Sequence, residues 1–158
     1  DPRAWPVWEL MGERGLSMCI NTNVSGVPAI MSLAKRFPKV PVLVDHFAQA
    51  DVTGGSDFAA AAPLFGMAAA ANIHLKLTPA VPSSLRKAQA DGRAFMKRVV
   101  GEFGAGRIAW GSDWPSSPGT MAENLAAARD LIAELAQADQ DMILGGTALS
   151  IYSMLKGA

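Results

Sequence analysis

Three short apolar runs in this chain each finish on polar side chains, and each is followed by a stretch of helical character. Val40-Pro41-Val42-Leu43-Val44 runs into Asp45-His46, Asn72-Ile73-His74-Leu75 into Lys76-Leu77-Thr78, and Arg107-Ile108-Ala109-Trp110 into Gly111-Ser112-Asp113. Short β-branched runs bounded by Gly, Pro and Asn predict buried strands. A weaker fourth candidate is Leu16 to Asn21, entered through Gly15. Helical patterns lie between them: Val27 to Phe37, stopped by Pro38; the Ala-rich stretch Phe58 to Ala71; and Arg86 to Phe103, which Gly92 can divide. Thr120-Met121-Ala122-Glu123 is a capping box opening a helix to about Ala138, and Thr147 to Leu155 closes the series. Strands roughly 25–35 residues apart with a helix between are the length of a βαβ unit. The order predicts a parallel sheet covered by helices. Ala48 to Asp57 reads as a long, mobile loop.

Composition narrows the class. The chain has 158 residues, half of them apolar, with 14 basic and 14 acidic side chains. That suits a single domain with a real core and excludes a disordered, collagenous or coiled-coil chain. Zero formal charge gives no reason to expect a nucleic-acid or membrane-surface partner. One cysteine, Cys19, excludes an internal disulfide framework. With no leader pattern at Asp1, a cytoplasmic location is the expectation.

In parallel α/β folds, ligands sit at the carboxyl ends of the strands. Here those ends carry Asn21, His46, Lys76 with Thr78, and Asp113. By strict alternation His46 shares a face with Val44 and Val42, Lys76 with His74 and Thr78, and Asp113 with Gly111 and Ala109. The set suits hydrolysis. A carboxylate can take a proton from water or hold a divalent metal that acidifies it. A histidine can polarise a carbonyl, and a lysine can meet a carboxylate or an oxyanion.

Val44-Asp45-His46-Phe47, then Asn72 to Thr78, then Arg107-Ile108-Ala109-Trp110-Gly111-Ser112-Asp113-Trp114-Pro115, with a closing Ile143-Leu144-Gly145-Gly146-Thr147-Ala148, resemble the amidohydrolase 2 branch of the amidohydrolase superfamily. The Asp-His and Gly-Ser-Asp-Trp-Pro forms are most similar to its lactonase group, which includes 2-pyrone-4,6-dicarboxylate lactonase and sugar-lactone hydrolases. The resemblance implies a (β/α)8 TIM barrel, of which residues 1–158 would be one partial domain, the C-terminal half with strands five to eight. A whole barrel takes about 250 residues. The family's strand-one His-x-His would belong to an N-terminal half. The resemblance makes Asp113 the strand-eight acid, acting as base or metal ligand, and His46 the strand-six histidine. Asn21 stands where metal-dependent members carry a strand-five histidine. A divalent metal such as zinc is therefore one expectation and metal-independent hydrolysis the other.

The reading is an enzyme that opens a lactone or related ester of a small organic acid, with the half-barrel inactive alone. Asp113 and His46 are its catalytic candidates. Lys76, Thr78, Asn21, Trp114 and Arg86 are the substrate-binding ones, for a substrate expected to be a carboxylated lactone. Two alternatives stand beside it. One is a metal-dependent non-oxidative decarboxylase of the same branch. The other is a non-catalytic half-barrel that binds a small acid or self-associates through unpaired strand edges. Bland roles compete at each position. Asp113 can cap its loop, since Ser-Asp-x-Pro is good turn chemistry. His46 can be a satisfied interior histidine. The basic stretch Arg86, Lys87, Arg93, Lys97 and Arg98 reads as a solvated helix face.

Overall fold

The computed structural model describes residues 1–152. Four strands, β1 (Met18–Ile20), β2 (Val42–Val44), β3 (Ile73–Leu77) and β4 (Ile108–Trp110), form one parallel sheet in the order β1-β2-β3-β4. Each lies inside a predicted run. The runs shorten at their polar ends, where the backbone leaves the ladder: Asp45–Gln49 winds into a 3-10 turn, and Asp113 has φ 51°. The register pairs Cys19 with Leu43, Leu43 with His74, and Lys76 with Ala109.

The helices are α1 (Trp5–Arg14), α2 (Val27–Arg36), α3 (Ala62–Gly66), α4 (Ala80–Lys87), α5 (Gly92–Phe103), α6 (Met121–Ile132), α7 (Gln137–Asp141) and α8 (Thr147–Ile151). Three sequence expectations need correction. The Ala-rich stretch is not one helix: α3 begins at the Ala62-Pro63 step and is flanked by 3-10 turns at Ala59–Ala61 and Met67–Ala69. Proline fits only the first turn of a helix, so Pro63 sets where α3 can start. The 86–103 pattern divides at Gly92, as the sequence allows, but its first helix opens earlier than expected. Asp91 caps α5 by accepting from the Ala94 N–H at 3.0 Å, and α4 already starts at Ala80. The capping-box helix forms as expected, with the Glu123 carboxylate accepting from the Thr120 N–H at 2.7 Å, but it ends at Ile132. The expected last helix is seen as α8, which ends before Tyr152 (φ −95°, ψ 86°); residues 153–155 of its predicted span lie outside the described residues. Helix α1 was not foreseen, although Pro6 in its first turn and a left-handed Gly15 (φ 62°) after its last mark both ends.

Burial alternates along β3: Ile73, Leu75 and Leu77 are buried, while His74 and Lys76 are half-buried. Ile73, Leu75 and Leu77 join Val42, Val44 and Ile108 in the main core under the helices. In that core the Phe95 ring packs against Phe47, Phe58 and Phe65 at centroid distances of 6.4, 5.1 and 6.1 Å. The opposite face presents Cys19, Leu43, His74, Lys76 and Ala109. Two side chains fasten the amino-terminal rim. The Asn72 amide donates to the carbonyls of Ala34, Phe37 and Val40, and the Arg107 guanidinium to those of Phe103, Ala68 and Ala70. Arg93 pairs with Asp130 on α6, and Arg93 and Lys97 both pair with Glu134 just past its end, while both cations stay partly exposed. Among the described residues no helix is long and apolar enough to cross a membrane.

Candidate active site

At the carboxyl ends of the strands lies an open cavity of about 240 Å³. Its walls include His46, Lys76, Thr78 and Asp113, together with Asp45 and Tyr152. Four of the sequence candidates therefore share one hollow. They reach it by different backbone routes. Lys76 is delivered by β3 itself, on the face opposite the core. Thr78 follows directly and is 4 % exposed. Asp113 sits just beyond β4, where its left-handed φ turns the chain. Its Oδ2 accepts a hydrogen bond from the Ser117 hydroxyl at 2.7 Å, so it both caps its loop and lines the cavity.

His46 arrives by an unusual path. After β2, four consecutive non-glycine residues, His46, Phe47, Ala48 and Gln49, have φ of 54°, 52°, 54° and 48°. Left-handed backbone costs an L-residue about 1–2 kcal/mol, so surrounding contacts must hold this turn. Phe47 and Ala48 are buried beneath it. Above, His46 Nδ1 lies 2.6 Å from Thr78 Oγ1, and the Lys76 ammonium lies 2.9 Å from Asp45 Oδ1. Burial alone would loosen the proton on Lys76. The Asp45 carboxylate and the Cys19 thiol outweigh it and hold the Lys76 pKa above its ordinary value. The expected mobile loop 48–57 thus begins on a buried residue, Ala48, and becomes exposed at Gln49.

Three candidates stand elsewhere. Arg86 lies in the last turn of α4, because that helix starts six residues before Arg86 and descends away from the rim. There it lines a different cavity with Asp91, Arg93 and Asp130. Asn21 is exposed just past the edge strand β1 and is not in the cavity wall. Trp114 is 65 % exposed, turned outward after Asp113. The sequence reading passed over Asp45, Trp110 and Tyr152. Asp45 was legible, since alternation from Leu43 places it on the face of Lys76. The Trp110 indole N–H is buried without a hydrogen-bond partner among the described residues. Tyr152 Oη lies 3.7 Å from Cys19 Sγ, spanning the open face of the sheet. His74, deeper in the sheet, points Nδ1 at the Asn72 carbonyl (3.3 Å), and burial holds its pKa below the ordinary value.

The amidohydrolase family profile matches residues 1–154. The chain belongs to the amidohydrolase family. It is 30% identical over 122 residues to an L-fucono-1,5-lactonase of Burkholderia ambifaria, covering 74% of this chain and 41% of that protein. It is 30% identical over 104 residues to a 4-sulfomuconolactone hydrolase of Hydrogenophaga intermedia, covering 65% and 34%. Among solved structures, it superposes on an amidohydrolase from Burkholderia multivorans with bound zinc at a TM-score of 0.75, with 19% identity, covering 92% of this chain and 55% of that one. The 5-carboxyvanillate decarboxylase of Sphingomonas paucimobilis superposes at 0.65, with 19% identity, covering 97% and 54%. The sheet is thus that of an amidohydrolase barrel fold, and this chain spans about half the length, or less, of the proteins it matches.

A resident metal needs several donors around one point. Among the described residues no three His, Cys, Asp or Glu side chains gather closely enough to hold an ion. Asp113 and His46 share a cavity wall but do not complete a ligand set, so this amidohydrolase chain's described residues do not by themselves fit the zinc of its structural neighbour.

Proposed function

We propose that this chain is the closing half of an amidohydrolase barrel, its strands the fifth to eighth, and that the barrel hydrolyses a lactone or related ester of a small organic acid. The observation that carries the reading is the convergence of Asp113 and His46 on one solvent-open cavity at the carboxyl rim. The kinship with a fuconolactonase and a sulfomuconolactone hydrolase supports the substrate class. In this reading Asp113 takes a proton from water as its oxygen attacks the lactone carbonyl carbon. His46 Nδ1 lies 2.6 Å from Thr78 Oγ1; this reading takes the Thr78 hydroxyl as the donor, so that the Nε2–H of His46 donates to the developing oxyanion. When the tetrahedral carbon collapses, the ring C–O bond breaks and the departing oxygen takes the proton back from Asp113. Water is the only co-reactant and the products are a hydroxy acid and the free enzyme. Ser117, donating to Asp113 Oδ2, leaves Oδ1 for the water.

The test is acid release from a panel of lactones, including L-fucono-1,5-lactone and 4-sulfomuconolactone, by the protein carrying this chain. Asp113→Asn is expected to lower kcat by about 10²- to 10⁴-fold, the usual worth of a positioned base. Turnover unchanged by Asp113→Asn ends the assignment. The fold likeness to a carboxyvanillate decarboxylase keeps a second reading open to the same assay, because carbon dioxide release in place of lactone opening would identify it.

A further inference from the structure

Lys76 carries the expectation of a cation that grips the substrate. Its surroundings give it another task. Its ammonium is already engaged by Asp45 at 2.9 Å, and both side chains are about three-quarters buried, at 24% and 21% exposure. Thr78, the first residue past β3, engages His46 at 2.6 Å. Lys76 and Thr78 therefore hold Asp45 and His46, the first two residues of the turn after β2. That turn runs left-handed through His46, Phe47, Ala48 and Gln49, a conformation these side chains do not choose unaided. Its underside is sealed by Phe47 and Ala48, at 1% and 0% exposure. On its other side Lys76 and Thr78 reach across to it from the end of β3.

We propose that Asp45 and Lys76 are a positioning pair, whose ion pair clamps the left-handed turn and so sets the direction in which His46 presents Nε2 to the cavity. The catalytic consequence rests on the hydrolase reading; the clamp itself does not. Neither residue touches the reacting atoms. Loss of either releases the start of the turn, and the imidazole loses its fixed orientation against Thr78.

The sequence contains two histidines, so two-bond proton–nitrogen spectra of the uniformly ¹⁵N-labelled protein report His46 directly, with His74 as an internal control. In the native protein the two His46 ring nitrogens should be well separated, as for one fixed tautomer. In Asp45→Asn and in Lys76→Gln they should move toward the averaged positions of a free imidazole while His74 stays in place, and Lys76→Arg should restore the native pattern. His46 nitrogens that stay put in a folded Asp45→Asn or Lys76→Gln protein overturn the proposal. Should Lys76→Gln fail to fold, the isosteric Asp45→Asn decides. Kinetics give a second arm. Both variants should lose about 10- to 100-fold in kcat with KM little changed, as misplacement of a reacting group does. A KM that rises at constant kcat in Lys76→Gln would make Lys76 a substrate ligand and refute the clamp. If no form of the protein carrying this chain opens any lactone, the hydrolase reading fails alone and the nitrogen spectra still decide the clamp.

Discussion

Asn72 offers a sharp test of how the sheet is aligned. Its side-chain nitrogen lies 3.1, 3.2 and 3.0 Å from the carbonyl oxygens of Ala34, Phe37 and Val40, so two hydrogens serve three acceptors. Those acceptors span the end of α2 and the entry to β2. Asn72→Ala removes two donors worth about 1 kcal/mol each and strands part-buried carbonyls, for a total of about 2–4 kcal/mol. Asn72→Asp keeps the shape but, when ionised, turns an oxygen toward three oxygens. It should cost a further 1–3 kcal/mol or so at pH 7, although its size is right. The sign of the pH dependence follows. The introduced carboxyl binds its proton more tightly in the folded chain than in the unfolded one, so the variant gains stability relative to the native protein as pH falls toward 4. The gap between Asn72→Ala and the native protein should stay flat over that range. Urea denaturation at pH 7, 5.5 and 4 measures all three; with m of about 1–3 kcal/mol per molar, the shifts amount to about 1 M or more in midpoint. If Asn72→Asp matches Asn72→Ala at pH 7 and the two curves run parallel, the carbonyl-bridging account of this rim is wrong.

Two further outcomes concern stability. A Cβ on Gly92 would lie 2.5 Å from Leu131 Cδ1, whereas one on Gly101, in the same helix, meets nothing within 4 Å. Gly92→Ala should therefore lower stability by about 1–3 kcal/mol and Gly101→Ala raise it by up to about 1 kcal/mol; thermal melts that move in the same direction would contradict the packing argument. Burial holds the His74 pKa below its ordinary 6.5, so below that pH the unfolded chain binds a proton that the folded one refuses. Stability should fall as pH drops from 7 to 5, and His74→Gln should flatten that slope; an equally steep slope in the variant would assign it to another group.

The strands, their parallel order and the polar rim were legible because burial forces β-branched runs and because the capping box is a local code. What escaped was backbone geometry. Alternation sets His46 on the face of Val42 and Val44, away from Lys76, yet both line the cavity. The left-handed turn reverses the side chain, and no glycine at 46–49 announces it. Arg86 stands elsewhere for a related reason: a helix opening at Arg86 would put that residue near the rim, but α4 already opens at Ala80, just after β3. Asp45 was readable and overlooked, being the simple continuation of Leu43 by two residues.

The fastening of the sheet by Asn72 and Arg107 at its lower margin has an evolutionary corollary. The side chains that set strand alignment and the side chains that face the hollow occupy opposite ends of the same short strands. Substitutions around the hollow can therefore be sampled without disturbing alignment, and a lineage can try new chemistries above while its foundation stays as it was.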